Sequence, residues 1–346
     1  MATTTTTSQP ALSFPRPIFA ALSPHPFLQA HLTSTPKQPL RANGRTAHEF
    51  RSLGVNTGSL THCNGSAVIR MGNTAVVCGV RAEILSSETG GQEISGQEDE
   101  KEDEGDEDDD TGEIESLKLL VPNIELATGS SPQHLPGQAP SAFAQTLVTR
   151  LRSLLLSSRI VRLEDLRILY TPPSNPDESH SDEEQRREVK GHWTLYIDTM
   201  FLSLDGNAFD AAWLAILAAL RDTLLPHAFW DEELETILCS DDPADAHKLR
   251  LRGLPVPSTY AVFEGKSEDE EDGGVDWVLS DPDAFEESVC RETVCVVVDR
   301  SEGGMEGRLR RIEKCGGGVV DRGVMKTLVE RSTQRSGVWE KVLSGS

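Results

Sequence analysis

The apolar positions change period several times along the chain, and each change marks an element. Ser66–Met71 is an apolar run, Gly72-Asn73 follows, and Thr74–Glu83 is a longer apolar run. Two strand-like runs joined by a Gly-Asn pair predict a hairpin. An acidic, Gly-rich stretch from Ser86 to about Glu115 interrupts the pattern, and Leu117–Val121 resumes it as a strand. Between Ser141 and Ser157, the residues Phe143, Leu147, Leu151, Leu154 and Leu155 recur at helical spacing and predict an amphipathic helix. Leu166–Tyr170 and Trp193–Leu204 are apolar, aromatic and β-branched, and predict paired strands on either side of a second acidic loop.

Asp210–Leu220 is apolar on nearly every side and ends before Pro226. A helix of that kind has to be enclosed by other elements. Thr259–Phe263, Trp277–Leu279, Val294–Val298 and Arg308–Lys314 predict a second set of strands. Asp281 followed by Pro282 has the form of an N-cap and first helical position, Asp210 reads as the N-cap of the apolar helix, and Val319–Arg335 predicts a final helix. Near the N-terminus, Phe27–Leu32 predicts a short packed helix, and residues 1–12 a free tail. Strands in runs, broken by a few helices, mean α+β architecture.

Composition narrows this to one domain over residues 13–340 of the 346, interrupted by acidic loops at about 86–115, 173–190 and 264–275. The net charge of -23 looks hostile to nucleic acid. Three stretches, Glu98–Asp110, Asp177–Glu188 and Glu264–Asp276, carry -10, -4 and -6, which leaves -3 for the rest. The acidity is thus expected in disordered, solvated insertions, and deleting Glu93–Thr111 is expected to leave folding intact. RNA is not excluded as a partner.

The six cysteines, Cys63, Cys78, Cys239, Cys290, Cys295 and Cys315, form no CxxC pair and no zinc spacing with histidine. They read as buried thiols of a reducing compartment, with no metal and no cofactor expected. Gly316-Gly317-Gly318 lacks the Lys-Ser/Thr continuation of a phosphate loop and reads as a turn. No apolar run approaches the ~20 residues that span a bilayer, so the chain is expected to be soluble. The first 48 residues hold no Asp or Glu but include Arg16, Lys37, Arg41 and Arg45, a composition shared with organelle transit peptides. The helical Phe27–Leu32 argues against that reading.

Asn56-Thr57-Gly58-Ser59-Leu60-Thr61-His62-Cys63-Asn64-Gly65-Ser66-Ala67, ahead of the Gly72-Asn73-Thr74 hairpin, resembles the opening of the RNase PH domain. Leu195–Asp198 and then Leu204-Asp205-Gly206-Asn207-Ala208-Phe209-Asp210-Ala211-Ala212 resemble the non-catalytic ring subunits of the eukaryotic RNA exosome. Pro24-His25-Pro26-Phe27 and the stretch from Gly44-Arg45 to Phe50-Arg51 are most similar to the OIP2 type among them. The resemblance covers about residues 15–340. It implies a duplicated ββαβ-type fold of the ribosomal protein S5 domain 2-like kind, and six such domains in a ring with a central pore for RNA. The implied partners are other RNase PH-like ring subunits, RNA-binding cap subunits and single-stranded RNA, with neither DNA nor membrane. The implied role is RNA processing and degradation, including rRNA maturation and mRNA turnover, in the nucleus, nucleolus and cytoplasm.

Phosphorolysis needs Arg and Ser/Thr donors for phosphate and an acid beside the leaving 3′ oxygen, because two anionic groups must meet. Active relatives carry a Gly-Gly-Thr-Arg-like continuation after the Asp-Gly turn, where this chain has Asn207, Ala208 and Phe209. No catalytic residue is therefore expected. Asp198 and Asp205 could form an acid pair, but they read better as strand-end and turn residues. The alternative, an active phosphorolytic 3′-to-5′ exoribonuclease, stays open. The candidate RNA contacts are Arg45 and Arg51 near the N-terminus, beside Arg41, and Arg150, Arg152 and Arg159 on or after the first core helix. For the N-terminal group the competing reading is pairing with acids on neighbouring subunits.

Overall fold

The structure is a computed structural model and describes residues 15–34, 39–86, 106–132, 134–135, 137–172, 187–265, 276–300, 307–317 and 319–345. The first half contains α1 (Arg16–Leu22), α2 (Pro24–Thr33), β1 (Leu53–Thr57), β2 (Gly65–Met71), β3 (Thr74–Ser86), α3 (Asp106–Ser116), β4 (Leu120–Leu126), α4 (Ala142–Ser158), β5 (Arg167–Tyr170), β6 (Glu188–Ser203) and α5 (Ala208–Asp222). Four short strands follow, β7 (Leu224–Leu225), β8 (Ala228–Asp231), β9 (Thr236–Cys239) and β10 (His247–Lys248). The second half contains β11 (Pro255–Glu264), β12 (Asp276–Ser280), α6 (Ala284–Val289), β13 (Glu292–Asp299), β14 (Arg308–Cys315) and α7 (Arg322–Ser344).

The expected hairpin forms as β2 and β3, with Met71 opposite Thr74 and Gly72 at φ 59°. β1 extends it on one side and β6 on the other. The 16 residues of β6 pair antiparallel with β5 over their first part and parallel with β4 over the next. A second, antiparallel sheet has the order β12-β11-β13-β14. The second half runs antiparallel pair, helix, antiparallel pair, helix, and the chain is α+β.

Between the sheets lies α5, buried at every residue from Ala208 to Leu220. It shares one core with Ala67, Ile69, Val76 and Val80 of the first sheet and Val256, Cys295 and Val297 of the second. A helix apolar all round is stable only in such a place. Close approach is required at its end: a Cβ on Gly65 would lie 2.4 Å from Thr223 Oγ1 and 2.5 Å from the Ala219 carbonyl oxygen. Both faces of the second sheet are covered. Leu328 of α7 packs on Tyr260, Val294, Val296 and Val298, while Leu28 and Leu32 of α2 pack with Ala261, Phe263 and Leu279. A strand covered on both faces reads as an unbroken apolar run, as Val294–Val298 does.

Several expectations are corrected by packing. The acidic stretch before Glu115 ends in the helix α3, where Ile114 is buried and Glu113 is joined to Arg167 and His192. Deleting Glu93–Thr111 would remove Asp106–Thr111, about half of that helix. The tail 1–12 and the acidic segments 87–105, 173–186 and 266–275 lie outside the described residues. Phe143 does not join the apolar stripe of α4; it is 49% exposed, in the first turn, where it lines a cleft. Asp210 is not an N-cap: Asn207 holds that position, and the Asp210 carboxylate is buried three residues inside. Asp283, not Asp281, caps α6, through a capping box with Glu286. The last helix starts after Asp321 and runs on to Ser344. Cys78, Cys290 and Cys295 are buried, but Cys239 on a short hairpin and Cys315 at the end of the edge strand β14 are exposed.

The Asp210 carboxylate accepts hydrogen bonds from Arg335, from Thr259 N and Oγ1, and from Asn207 Nδ2. Replacing Arg335 by Met strands that charge in the core, which typically costs about 3–5 kcal/mol. Urea denaturation should show a loss of that size, and Asp210→Asn added to Arg335→Met should restore part of it. An unchanged midpoint for the single variant would contradict the assignment.

Candidate nucleic-acid interface

The Asp205-Gly206-Asn207 turn leads β6 into α5 at the junction of both sheets. Gly206 has φ 69°, and a Cβ there would lie 2.4 Å from the Asp283 carbonyl carbon, so no other residue fits. Asn207 is also left-handed, at φ 49°. Its Nδ2 donates to Asp210 Oδ2 at 2.9 Å and to Asp281 Oδ1 at 2.7 Å, and its backbone N–H donates to Glu287 Oε1 at 2.8 Å. Both hydrogens of the amide are thus spent on internal carboxylates. Asp205 accepts from Asn73 Nδ2 at 3.0 Å and from Ala284 N–H at 3.3 Å, which is turn chemistry. Asp198 lies on the open face of the first sheet, half exposed, with Arg81 at 3.7 Å and Asn123 at 3.2 Å. Five residue steps along β6 separate it from Ser203, roughly 17 Å of strand. Asp198 and Asp205 do not form a pair.

Beside this turn opens a cleft of about 600 Å³, lined by Ser130, Ser131, His134, Ser141, Phe143 and Glu287 among others. None of the described residues lining it is Lys or Arg. Glu287 keeps solvent access, yet its carboxyl is crowded enough that desolvation raises its pKa to about 7, against the Asn207 hydrogen bond and the Arg51 charge. The cleft offers hydroxyls and an imidazole, but no fixed cation for an anion.

The N-terminal arginines face inward. Arg51 donates from its backbone N–H and Nε to Asp281 Oδ2, at 2.9 and 2.8 Å, and from Nη2 to Oδ1 at 2.7 Å. Its Nη1 binds the Asp205 carbonyl at 2.6 Å. Burial alone would raise the Asp281 pKa, but hydrogen bonds from Arg51 and the charges of Arg335 and Arg51 hold it well below the carboxylate range. Arg45 lies 3.5 Å from Asp281 and 3.8 Å from Glu286. Arg41 is fully buried, donating to Glu286 at 3.1 Å and to the Ala47 carbonyl at 2.6 Å. The partners are acids of this chain rather than of a neighbour.

On α4, Ser141 caps the first turn by accepting from Ala144 N–H at 3.2 Å. Positions 150 and 152 are about 200° apart around a helix, and the buried stripe of Leu147, Leu151, Leu154 and Leu155 runs between them. The structure therefore separates Arg150 from Arg152 and Arg159. Arg150 lies over the Phe209 ring, 4.1 Å from its centroid, and donates to Glu313 of β14 at 3.0 and 2.7 Å. Arg159 ends the helix at φ 52° and lines a small cleft with Asp110, Thr111 and Arg252. β14 adds cations that sequence reasoning passed over. Arg311 binds Ser153 Oγ at 3.0 Å and pairs with Glu313, Arg310 binds the buried Asp299, and Arg308 is exposed. The run Arg308-Leu-Arg-Arg was visible; its place beside α4 was not.

The model of the 3′ exoribonuclease family, domain 1 (RNase PH) matches residues 49–226. The chain is 30% identical to the exosome complex component rrp43 of Schizosaccharomyces pombe, over 92% of this chain and 94% of that one. The chain belongs to the RNase PH family. It is 26% identical to the exosome complex component Rrp42 of Methanothermobacter thermautotrophicus, over 82% of this chain and 81% of that one. The fold is shared with a chain of the Archaeoglobus fulgidus exosome with RNA bound to the active site, at a TM-score of 0.59 and 22% identity, covering 91% of this chain and 97% of that one. Within the RNase PH fold, the turn that carries Asn207 and Phe209 sits against α4 and the second sheet, and its side chains are committed to packing.

Glu287 supplies a pH test. Its folded-state pKa, about 7, lies above the ordinary glutamate value, so ionising it costs stability as pH rises through the range between the two, and the full cost is present above about 7. Glu287→Gln removes that cost. The melting temperature of the variant relative to the parent should rise between pH 5 and pH 8; a difference independent of pH would contradict this.

Proposed function

We propose that the chain is a ring subunit of an RNA exosome that holds and guides single-stranded RNA and performs no phosphorolysis of its own. The observation that carries the reading is the state of positions 207–209. Both N–H donors of the Asn207 amide are spent on Asp210 and Asp281, and Phe209 is a buried apolar ring with no donor for phosphate. The adjoining cleft presents Glu287 where an attacking phosphate and an RNA end, both anionic, would need cations. The names of the relatives place similar chains in exosomes.

Open surface supports a ring. Leu309 and Ile312 are exposed on the edge strand β14, and Met200 and Leu202 on the outer face of the first sheet, surfaces that neighbouring subunits would cover. The partners in this reading are other RNase PH-like ring subunits, RNA-binding cap subunits and single-stranded RNA, in the nucleus, nucleolus and cytoplasm, acting in rRNA maturation and mRNA turnover. The packing of Leu28 and Leu32 against the second sheet disfavours a cleaved transit peptide, since cleavage beyond them would uncover that core. RNA contact is assigned to the seam of α4 and β14, with Arg150, Arg311 and Arg308. Arg45 and Arg51 leave the proposed path because their guanidiniums brace the fold. The second reading, an active phosphorolytic exoribonuclease, is favoured by the description of the family.

Two outcomes are expected. Purified chain incubated with a short RNA and phosphate should release no nucleoside diphosphate above background, and Asp198→Asn or Asp205→Asn should leave decay by the assembled complex unchanged. Release that Asp205→Asn abolishes would establish the second reading instead. Arg150→Glu should weaken binding of single-stranded RNA to the complex and lower the salt slope by about 0.7, the share of one phosphate contact. Unaltered binding at low salt would remove Arg150 from the path.

A further inference from the structure

The acidic helix α3 rests on arginines drawn from separate parts of the chain. Arg159 ends α4 and Arg167 opens β5, with Arg162 between them in sequence. Arg252 is brought beside them by the bridge Val161↔Leu251 and by its backbone N–H, which donates to the Ile160 carbonyl at 2.8 Å. Carboxylates of α3 answer this cluster: Glu113 accepts from Arg167 at 2.6 Å, Asp110 lies 3.7 Å from Arg252, and Asp110 and Thr111 line one cleft with Arg159 and Arg252.

The docking is provisional in three respects. Ile114 is the apolar residue that α3 buries among those described, at 7% exposure. Gly112 stands inside the helix, where glycine costs about 1 kcal/mol relative to alanine. The ion pairs are partly exposed, and such pairs contribute little each. Two of the arginines also keep unspent capacity, since the Nε groups of Arg162 and Arg167 are both buried without a hydrogen-bond partner. Guanidiniums with orphaned donors, as at Arg162 and Arg167, are chemically suited to phosphates, which offer more acceptor oxygens per charge.

We propose that Arg159, Arg162, Arg167 and Arg252 form a second face for the phosphate backbone of single-stranded RNA, and that α3 occupies it as an internal competitor until RNA displaces it. This rests on the reading that the chain meets RNA. It uses none of the β14 seam, so the two faces fail separately under their own substitutions. An RNA strand is favoured over an acidic protein because the orphaned donors of Arg162 and Arg167 call for more acceptor oxygens than the single carboxylates of α3 bring, and phosphates supply them.

The experiment measures binding of the full chain to a fluorescent oligouridine of about twenty nucleotides, long enough for a tracking groove. The parent is compared with Asp110→Asn, Glu113→Gln and Ile114→Ser combined, and with the same set plus Arg167→Glu and Arg252→Glu. Amide exchange over residues 106–116 reports whether α3 is released. If the free face is populated in about a tenth of the parent molecules, release should tighten binding about tenfold at low salt. The gain should shrink as salt rises and vanish in the set with reversed arginines, while Arg150→Glu should leave it in place. Release of α3 without tighter binding would overturn the proposal. So would α3 remaining docked, because the named contacts would then not be what holds it. An equal gain toward a polyglutamate peptide would assign the face to acidic protein and overturn the RNA reading.

Discussion

The two carboxylates that the rest of the chain closes upon are Asp210 and Asp281, each fully buried and each held by arginine. A buried charge is tolerable only when its lone pairs are filled, and here they are filled from distant segments: Arg51 before the first strand, Asn207 in the turn, Thr259 on β11 and Arg335 on the last helix. Bringing those groups together fixes the first sheet, α5, the second sheet and α7 relative to one another. Asp281 sits at φ 53°, a left-handed conformation uncommon for a residue with a side chain, and its ring of donors is what maintains it. The stability it contributes is present above the ordinary carboxylate range and is lost as pH falls toward its depressed value.

The same constraint shapes the site. A turn whose amide must satisfy two carboxylates has no donor left for an anion, and an aromatic ring placed next to it becomes packing. Phe209 illustrates this: it is buried, and the cation near it arrives from α4 and is balanced by Glu313 of β14. The region that in this fold stands at the meeting of two halves has become a structural joint. Guiding RNA requires only exposed cations on rigid elements, which the seam of α4 and β14 retains.

Elements with a strong period were legible in the residues. The β2–β3 hairpin follows from Gly72-Asn73, α5 from its all-apolar run, and α4 from leucines at helical spacing. Site roles were less legible wherever they depend on partners far along the chain. Asp210 has the residue type and position of an N-cap, and only Arg335, 125 residues later, makes it a core ion pair. Asp281-Pro282 has the form of a helix start, yet the cap is Asp283 because Asp281 is turned inward to Arg51. Acidic composition hid α3 in the same way, since Arg167, His192 and Arg252 come from strands and loops distant in sequence. Arg45 and Arg51 looked like Arg150 on the page; burial distinguishes them.

Charge is the last link between fold and partner. A chain at -23 repels a polyanion at long range, but the Debye length is ~8 Å at physiological ionic strength, so an approaching strand senses mainly the surface beneath it. Most of the excess charge is confined to three stretches, and where a described part of one returns to the body, as α3, it lies against arginines and neutralises them. On the proposed function, α3 placed this way covers Arg167 and Arg252 and leaves the seam of α4 and β14 open to RNA. The consequence is selectivity by position: an RNA threaded along the α4 and β14 seam meets cations, while one that strays toward the acidic stretches meets carboxylates. On the proposed function, a subunit that performs no phosphorolysis still determines where the strand can run.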